Sequence, residues 1–235
     1  MARKGKIEKF ETNAREERIF KPRKYKYLFL IVCEDEKTEP DYFNKFKSQI
    51  PEESIYLETI GTGFDPKGIV KKAIDERLKL EGKFKREVDE TWVVFDKDDA
   101  DENETKITNF DEAFTNAAAN NIEIAYSNEV FEVWLLLHLK NIDSEKTLPR
   151  NEVYKLLESQ IKKTKKYSDF IYDHKKPNSQ TIDIIFELGN LDLAIERAKL
   201  LLEKQKNKKP IEANPSTKVH VLVQELQSWI RYFSE

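Results

Sequence analysis

Cysteine, histidine and long apolar runs are scarce in this sequence of 235 residues. Its one cysteine, Cys33, has no partner for an internal disulfide, which favours the reducing conditions of the cytoplasm. No segment approaches the about 20 consecutive apolar residues of a membrane span, and the first residues, MARKGK, lack the apolar core of an export signal. The three histidines are scattered, so no Ser-His-Asp or Cys-His catalytic set is indicated. We therefore expect a cytoplasmic protein without membrane contacts.

Charged residues make up 36% of the chain, yet the two signs nearly cancel and leave a net charge of −3. Lysine is nevertheless concentrated in patches at 21–26, 162–166, 175–176 and 204–209. Such patches ordinarily form a solvated surface. Beside an acidic metal site they would instead be suited to follow a phosphate backbone. The candidate nucleic-acid contacts are Lys162, Lys163, Lys165, Lys166, Lys175 and Lys176.

Short apolar runs alternate with amphipathic segments over the first 140 residues. Strands are predicted at 25–33, 54–60, 91–95 and 122–126, and helices at 38–50, 66–80, 106–120 and 129–139. Thr38, Pro40 and Asp41 have the capping-box pattern of a helix start. This order predicts an α/β fold with a mostly parallel sheet flanked by helices.

The remainder of the chain has a helical pattern. Helices are predicted at 151–163, 181–188, 190–206 and 216–233, with a linker at 207–214. We therefore expect a charged arm at 1–24, a metal-binding core at 25–140 and a helical C-terminal portion at 141–235 that packs on the core.

Two acidic clusters follow predicted strands. Glu34 and Glu39 come after the first strand, and Asp96, Asp98 and Asp99 come after the third. Ligands of open α/β sheets bind at the carboxyl ends of the strands, so at least Glu34, Asp96 and Asp98 are expected to meet. Like charges that close call for a cation between them, and an all-oxygen ligand set favours Mg²⁺ or Mn²⁺. The five residues are the candidate metal ligands.

The Asp-x-Asp segment fits three further types of acidic loop less well. An EF-hand loop needs glycine at its sixth position, where Asp101 stands. A haloacid-dehalogenase-type phosphatase would use Asp96 as its nucleophile, but position 100 is alanine and the motif follows the third strand, not the first. A plain acidic surface loop remains open, although it leaves the earlier cluster at Glu34 unaccounted for.

An early glutamate and a later Asp-x-Asp, each at the end of a strand, resemble the Toprim domain of topoisomerases, primases and related nucleases. Glu34 matches its glutamate, and Asp96 and Asp98 match its aspartates. The Toprim pattern has glycine after the glutamate, whereas this chain has Asp35. The resemblance implies that Glu34, Asp96 and Asp98 are catalytic and hold Mg²⁺ or Mn²⁺.

Three segments narrow the resemblance to the RloB family. They are VCEDEKTEPDYF at 32–43, SNEVFEVWLLLH at 127–138 and NPSTKVH at 214–220. The family implies a role in bacterial defence or abortive infection, a nuclease-type core and an ATPase partner. The family-matching residues outside the acidic clusters are Asn128, Glu132, His138, Ser216, Thr217 and His220.

Most of these residues also have a plainer role in the fold. Asn128 is expected to cap a helix or to reach the acidic site, and His138 to pack in the core beside Trp134. His220, with Ser216 and Thr217, would either orient a phosphate or begin the last helix.

The sequence thus predicts a Mg²⁺-dependent, Toprim-type endonuclease acting on DNA or RNA, transfer RNA included, in anti-phage defence. The alternative is a non-catalytic subunit that binds nucleic acid or regulates an ATPase partner. Nucleotidyl transfer, as in primases, finds no support in a triphosphate-binding loop.

Overall fold

The structure is a computed structural model that describes residues 25–175 and 179–235. The predicted charged arm at 1–24 and the candidate contact Lys176 lie outside the described residues. Among the helices of the described ranges, none combines the length and apolar character needed to cross a membrane.

The described residues form a single sheet with the strand order β2-β1-β3-β4-β5. Its strands are β1 Tyr27–Cys33, β2 Ile55–Gly61, β3 Glu90–Asp96, β4 Glu123–Asn128 and β5 Ser216–Thr217. The first four strands are parallel, as predicted. The short β5 pairs antiparallel to β4 and was predicted as the start of a helix, which was wrong. Two residues are too few to show the alternation of a strand.

Helices cover both faces of the sheet. They are α1 Thr38–Asn44, α2 Pro66–Phe84, α3 Glu104–Ala119, α4 Glu132–Leu139, α5 Arg150–Lys162, α6 Ser179–Leu188, α7 Leu191–Gln205 and α8 Val219–Ser234, with 3-10 turns at Lys45–Gln49 and Lys165–Tyr167. Helices α2 and α3 pack on one face, while α1 and α4–α8 pack on the other. The predicted three-layer α/β architecture is confirmed.

Strand β1 is buried along its whole length because both of its faces meet helices. Phe29 and Ile31 face the larger core beneath α1 and α4–α8, whereas Leu30 and Val32 face the core beneath α2 and α3. Burial on both faces accounts for an apolar run without alternation.

The start of α1 differs from the predicted capping box. Thr38 is already the first helical residue, and its backbone N–H donates to Asp35 Oδ2 at 2.5 Å. Asp35, the residue that stands in place of the Toprim glycine, therefore caps the helix. Its side chain satisfies a backbone donor that the first turn leaves without an intrahelical partner.

The sheet changes direction at β1. From β1 the chain moves to β2 on one side and later returns to β3 on the other, so that α1 and α2 lie on opposite faces. In a doubly wound sheet this arrangement opens a crevice at the carboxyl ends of the two central strands. The carboxyl ends of β1 and β3 carry Glu34 and Asp96.

Candidate functional site

Glu34 and Asp96 meet at the crevice between β1 and β3. The Glu34 backbone N–H donates to the carbonyl of Val94 at 2.9 Å, and Glu34 Oε2 accepts a hydrogen bond from the backbone N–H of Asp96 at 2.8 Å. Asp96 Oδ2 in turn accepts from the backbone N–H of Phe131 at 2.9 Å. Both carboxylates are therefore held by backbone donors, and each has a second oxygen outside these bonds. Asp96 Oδ1 is buried and has no hydrogen-bond partner.

Asp98 lies in the same loop in a left-handed backbone conformation, with φ of 47°. Aspartate tolerates this region better than most residues. Its backbone N–H donates to the carbonyl of Glu129 at 2.9 Å, and its Oδ1 lies 2.8 Å from the guanidinium of Arg150. The third predicted ligand is therefore held by the first residue of α5.

The site is electrostatically crowded. Burial raises the pKa of Glu34 to about 8, against the lowering effect of the hydrogen bond from Asp96 N–H, and the charge of Asp98 raises it further. Burial also raises the pKa of Asp96, with the charges of Glu39 and Asp98 acting in the same direction. For Asp98, burial raises the pKa and Arg150 opposes the shift. A cation in the crevice would relieve this repulsion.

Glu39 and Glu132 are two further buried acids near Asp96. Glu39 is 1% exposed, and its Oε2 accepts from the backbone N–H of Asp35 at 3.2 Å. Glu132 is 7% exposed and accepts a hydrogen bond from the Tyr172 hydroxyl. Burial raises the pKa of Glu132 to about 7. The charges of both residues raise the pKa of Asp96, so the structure brings them to the same region.

A small pocket of about 110 Å³ opens beside the strand ends. Its lining includes Glu34, Asp96 and Asp98, together with Asp65, Lys106 and Asn109. Asp65 caps α2 through a hydrogen bond from the backbone N–H of Gly68 at 2.8 Å, and its other oxygen accepts from the Asn109 side chain at 3.0 Å. The sequence identified Asp65 only as part of a helix start.

Asp99 is exposed and lies 2.5 Å from Lys106, which lowers its pKa. It lines the pocket, but its carboxylate is neutralised by a neighbouring side chain. This is the ordinary role of a loop acid.

Within residues 25–175 and 179–235, no three His, Cys, Asp or Glu side chains are arranged as a ready-made metal site. The hydrogen bonds account for this arrangement. Glu34 and Asp96 each direct one oxygen to a backbone N–H, and Asp98 is turned toward Arg150. A three-carboxylate site would form when Asp98 leaves Arg150.

Asn128 neither caps a helix nor reaches the acidic residues, so both predicted roles are wrong. Its side-chain amide donates to the carbonyls of Pro210 and Ile211 at 2.9 and 3.1 Å, and the residue is fully buried. Asn128 thus fastens the linker before β5 to the end of β4.

His138 is a core residue, as the sequence predicted. Its Nε2 lies 3.1 Å from the Tyr42 hydroxyl, and its ring packs 5.0 Å from Trp134. Burial lowers its pKa to about 3, so the imidazole is neutral at physiological pH. Glu132 and His138 occupy opposite ends of α4 and do not act together.

Ser216, Thr217 and His220 are buried, being at most 3% exposed. Thr217 Oγ1 lies 3.0 Å from Ser127 Oγ, and His220 Nδ1 lies 3.2 Å from the Thr217 carbonyl. The expectation that they orient a phosphate is wrong, because a phosphate cannot reach side chains enclosed by β4 and α8.

The candidate lysines occupy the outer surface of the C-terminal portion. Lys162 pairs with Glu158 at 2.6 Å, Lys163 donates to Gln160 at 2.8 Å, and Lys166 pairs with Glu187 at 2.7 Å. Lys165 and Lys175 are exposed. Several of the positive charges that the sequence suggested for nucleic acid are thus balanced by a neighbouring acid.

Sequence reasoning missed the residues that reach the site from distant parts of the chain. Arg150 contacts Asp98, and Tyr172 contacts Glu132. Glu129 joins the Asp98 loop to α5, because its Oε2 accepts from the backbone N–H of Arg150 at 3.2 Å.

Lys97 was also missed, although it stands between the two aspartates of the Asp-x-Asp motif. It is 5% exposed and pairs with Asp101 at 2.7 Å. That position was the one signal in the sequence that could have placed a cation at this end of the sheet.

Comparison with known proteins identifies a family. No curated protein and no solved structure matches the chain. The family model described as RloB-like protein matches residues 29–226, which is most of the chain and includes the strand ends that carry Glu34 and Asp96. The resemblance of the three sequence segments is thereby confirmed, and the chain belongs to the RloB-like protein family.

Proposed function

We propose that this protein is a Mg²⁺- or Mn²⁺-dependent endonuclease of the cytoplasm that hydrolyses phosphodiester bonds of DNA or RNA. The observation that carries the proposal is the meeting of Glu34 and Asp96 at the crevice between β1 and β3, with Asp96 Oδ1 buried and without a partner. Such an oxygen is costly to bury unless a donor or a cation meets it.

The donor set suits a hard divalent cation. Glu34 and Asp96 would each supply the oxygen that does not accept a backbone hydrogen bond, and Asp98 would supply a third after leaving Arg150. Carboxylate oxygens are the ligands that Mg²⁺ and Mn²⁺ prefer. Glu39 is buried near Asp96 and would add negative charge that favours a second ion.

A bound ion would neutralise phosphate charge and lower the pKa of an attacking water. The protein's own residues have complementary tasks. The backbone N–H groups of Asp96 and Phe131 hold the ligand carboxylates in fixed orientations. Once Asp98 has turned away from it, Arg150 is free to donate two hydrogen bonds to a phosphate.

Membership of the RloB-like family supports a biological setting for this activity. The family resemblance implies anti-phage defence or abortive infection, with an ATPase as partner. We extend both to this protein as part of the proposal.

The test is a cleavage assay on the purified chain, alone and with a candidate ATPase partner. Single-stranded, duplex and transfer-RNA substrates are incubated with Mg²⁺ or Mn²⁺. We expect cleavage by the wild type and a loss of at least about 100-fold in Asp96→Asn, since removing a metal-holding carboxylate commonly costs several kcal/mol of transition-state stabilisation. Asp111→Asn, which changes an exposed aspartate of α3, is the matched control and should cleave like the wild type.

A second function is favoured by the ion pair between Asp98 and Arg150, which occupies one of the three ligands. In that case the chain is a non-catalytic subunit that binds nucleic acid or regulates the ATPase. Intact substrates in every combination of ion and partner would replace the nuclease proposal with this one.

A further inference from the structure

Three aromatic rings cluster on the surface of α5 and the segment that follows it. Tyr154 stacks on His174 with the ring centroids 4.8 Å apart and the planes 11° from parallel, and Tyr172 lies 5.5 Å from Tyr154. His174 is exposed, and the two tyrosines are partly exposed. None of these contacts is needed by the carboxylate site or by the cores beneath the sheet.

We propose that Tyr154, Tyr172 and His174 form a stacking platform that binds an unpaired nucleobase of a single-stranded nucleic acid. The proposal rests on the proposed function, and it names the substrate class of that site. Aromatic side chains bind unpaired bases by stacking, which a duplex prevents because its bases already stack on one another.

The stacking platform is joined directly to the carboxylate site. The Tyr172 hydroxyl donates to Glu132, which follows Phe131, the residue whose backbone N–H holds Asp96. Arg150, the partner of Asp98, precedes Tyr154 by one turn of α5, so the two side chains lie on the same side of the helix. A base on the platform would therefore place its phosphate toward Arg150 and Asp98.

A groove of about 380 Å³ continues from the stacking platform along α5. That volume lies within the range of about 300–1,000 Å³ that small-molecule sites occupy. Besides Tyr154 and Tyr172, the groove is lined by Lys155, Glu158, Ser159 and Lys162.

The charges of the groove suit a polyanion despite the presence of Glu158. One oxygen of Glu158 pairs with Lys162 at 2.6 Å, and the other accepts from the backbone N–H of Tyr172 at 2.9 Å. Lys155 is exposed and forms no ion pair within the described residues. Lys155, Ser159 and Lys162 follow one another at about one-turn spacing, so a backbone running along the groove meets a hydroxyl and two lysines.

The experiment measures binding by fluorescence anisotropy with the full chain carrying Asp96→Asn to prevent cleavage. The probes are a short labelled single strand, the same strand annealed to its complement, and the same strand with abasic positions. Tyr154→Leu combined with His174→Ala removes the π faces and keeps apolar volume beside α5. Tyr232→Leu, at an exposed tyrosine of α8, is the control.

We expect the double variant to bind the single strand about 5- to 100-fold more weakly, which is the range that stacking of one base supplies. The abasic strand should bind the parent protein more weakly by a similar factor, and the double variant should bind the two strands alike. Lys155→Glu should weaken binding and flatten its salt dependence. Tyr232→Leu should change none of these values.

Equal affinity of parent and folded double variant for the single strand would overturn the platform, and so would failure of the parent to bind any of the probes. If the double variant does not fold, His174→Ala alone decides, because its exposed ring can be removed without disturbing the core. The two proposals fail separately. Cleavage that persists in a folded platform variant with unchanged binding contradicts the platform only, whereas binding through the platform by a wild type that never cleaves contradicts the nuclease only.

Discussion

At the scale of single residues, the carboxylates could be predicted and their partners could not. Glu34, Asp96 and Asp98 each follow an apolar run at or within a few residues of its end, so local sequence was enough to place them at one edge of a parallel sheet. Arg150 and Tyr172 reach the site from residues far along the chain. Such long-range contacts leave no periodic signal in a sequence.

Glu34 also predicts a dependence of stability on pH. Its pKa is raised to about 8 by burial, whereas a glutamate of the unfolded chain has a pKa near 4.5. Between these values the folded protein binds a proton that the unfolded chain has released, so the free energy of unfolding falls as pH rises. The stabilisation is fully present below about pH 4.5 and is lost as pH passes through about 8.

Glu34→Gln should remove this slope in metal-free protein. The glutamine oxygen can still accept from the Asp96 N–H, and no charge remains to be buried. At pH 8 the variant should melt above the wild type, by about 2–4 °C for each kcal/mol recovered, and near the wild-type temperature at pH 5. Thermal melting in EDTA measures this, with exposed Glu36→Gln as the control. A Glu34→Gln protein that unfolds, or that keeps the wild-type slope, contradicts the burial of a strained carboxylate.

At the scale of elements, the apolar pattern located the first four strands and the long helices to within a few residues. It failed where packing or a single side chain decides the structure. Asp35 caps α1 in place of the predicted Thr38, and β5 forms because its two residues pair with the end of β4. Caps and very short strands depend on contacts, which propensity does not encode.

The end of β2 supports the loop that carries Glu34, and a glycine makes this possible. A Cβ at Gly61 would lie 2.5 Å from the Cα of Glu36 and 2.7 Å from the carbonyl oxygen of Asp35. The neighbouring Gly63 N–H donates to the Glu34 carbonyl at 2.7 Å. The tight turn at these glycines therefore serves the acidic loop by close backbone approach.

Gly61→Ala should push the Glu34 loop away from β2. We expect a loss of about 1–3 kcal/mol in unfolding free energy, typical of overpacking, and a smaller rise in melting temperature on adding Mn²⁺. Gly82→Ala is the matched control, because nothing lies within 4 Å of its added Cβ on α2 and alanine should stabilise that helix by about 0.5–1 kcal/mol. Denaturant melts with and without Mn²⁺ give both quantities. Equal behaviour of the two variants would show that the loop does not depend on Gly61.

At the scale of the whole molecule, the C-terminal portion completes the site. Helix α4 is buried on nearly every side between the sheet and α5–α8, which accounts for its continuous apolar sequence. Arg150 and Tyr172 then carry the same portion to Asp98 and Glu132. The sequence predicted a helical region packed on the core, but only the fold shows that it supplies residues to the crevice.

The proposed activity depends on a divalent cation bound by Glu34, Asp96 and Asp98 at the ends of β1 and β3. Isothermal titration of the metal-free full chain with Mn²⁺, followed by competition with Mg²⁺, tests this binding most directly. We expect saturable binding by the wild type and by Asp111→Asn, and its loss in Asp96→Asn. Asp98→Asn should also lose it, while keeping an amino acid that tolerates the left-handed backbone at this position. A wild type that binds no Mn²⁺ at millimolar concentration, or an Asp96→Asn protein that binds it as tightly as the wild type, would contradict a metal site at these strand ends.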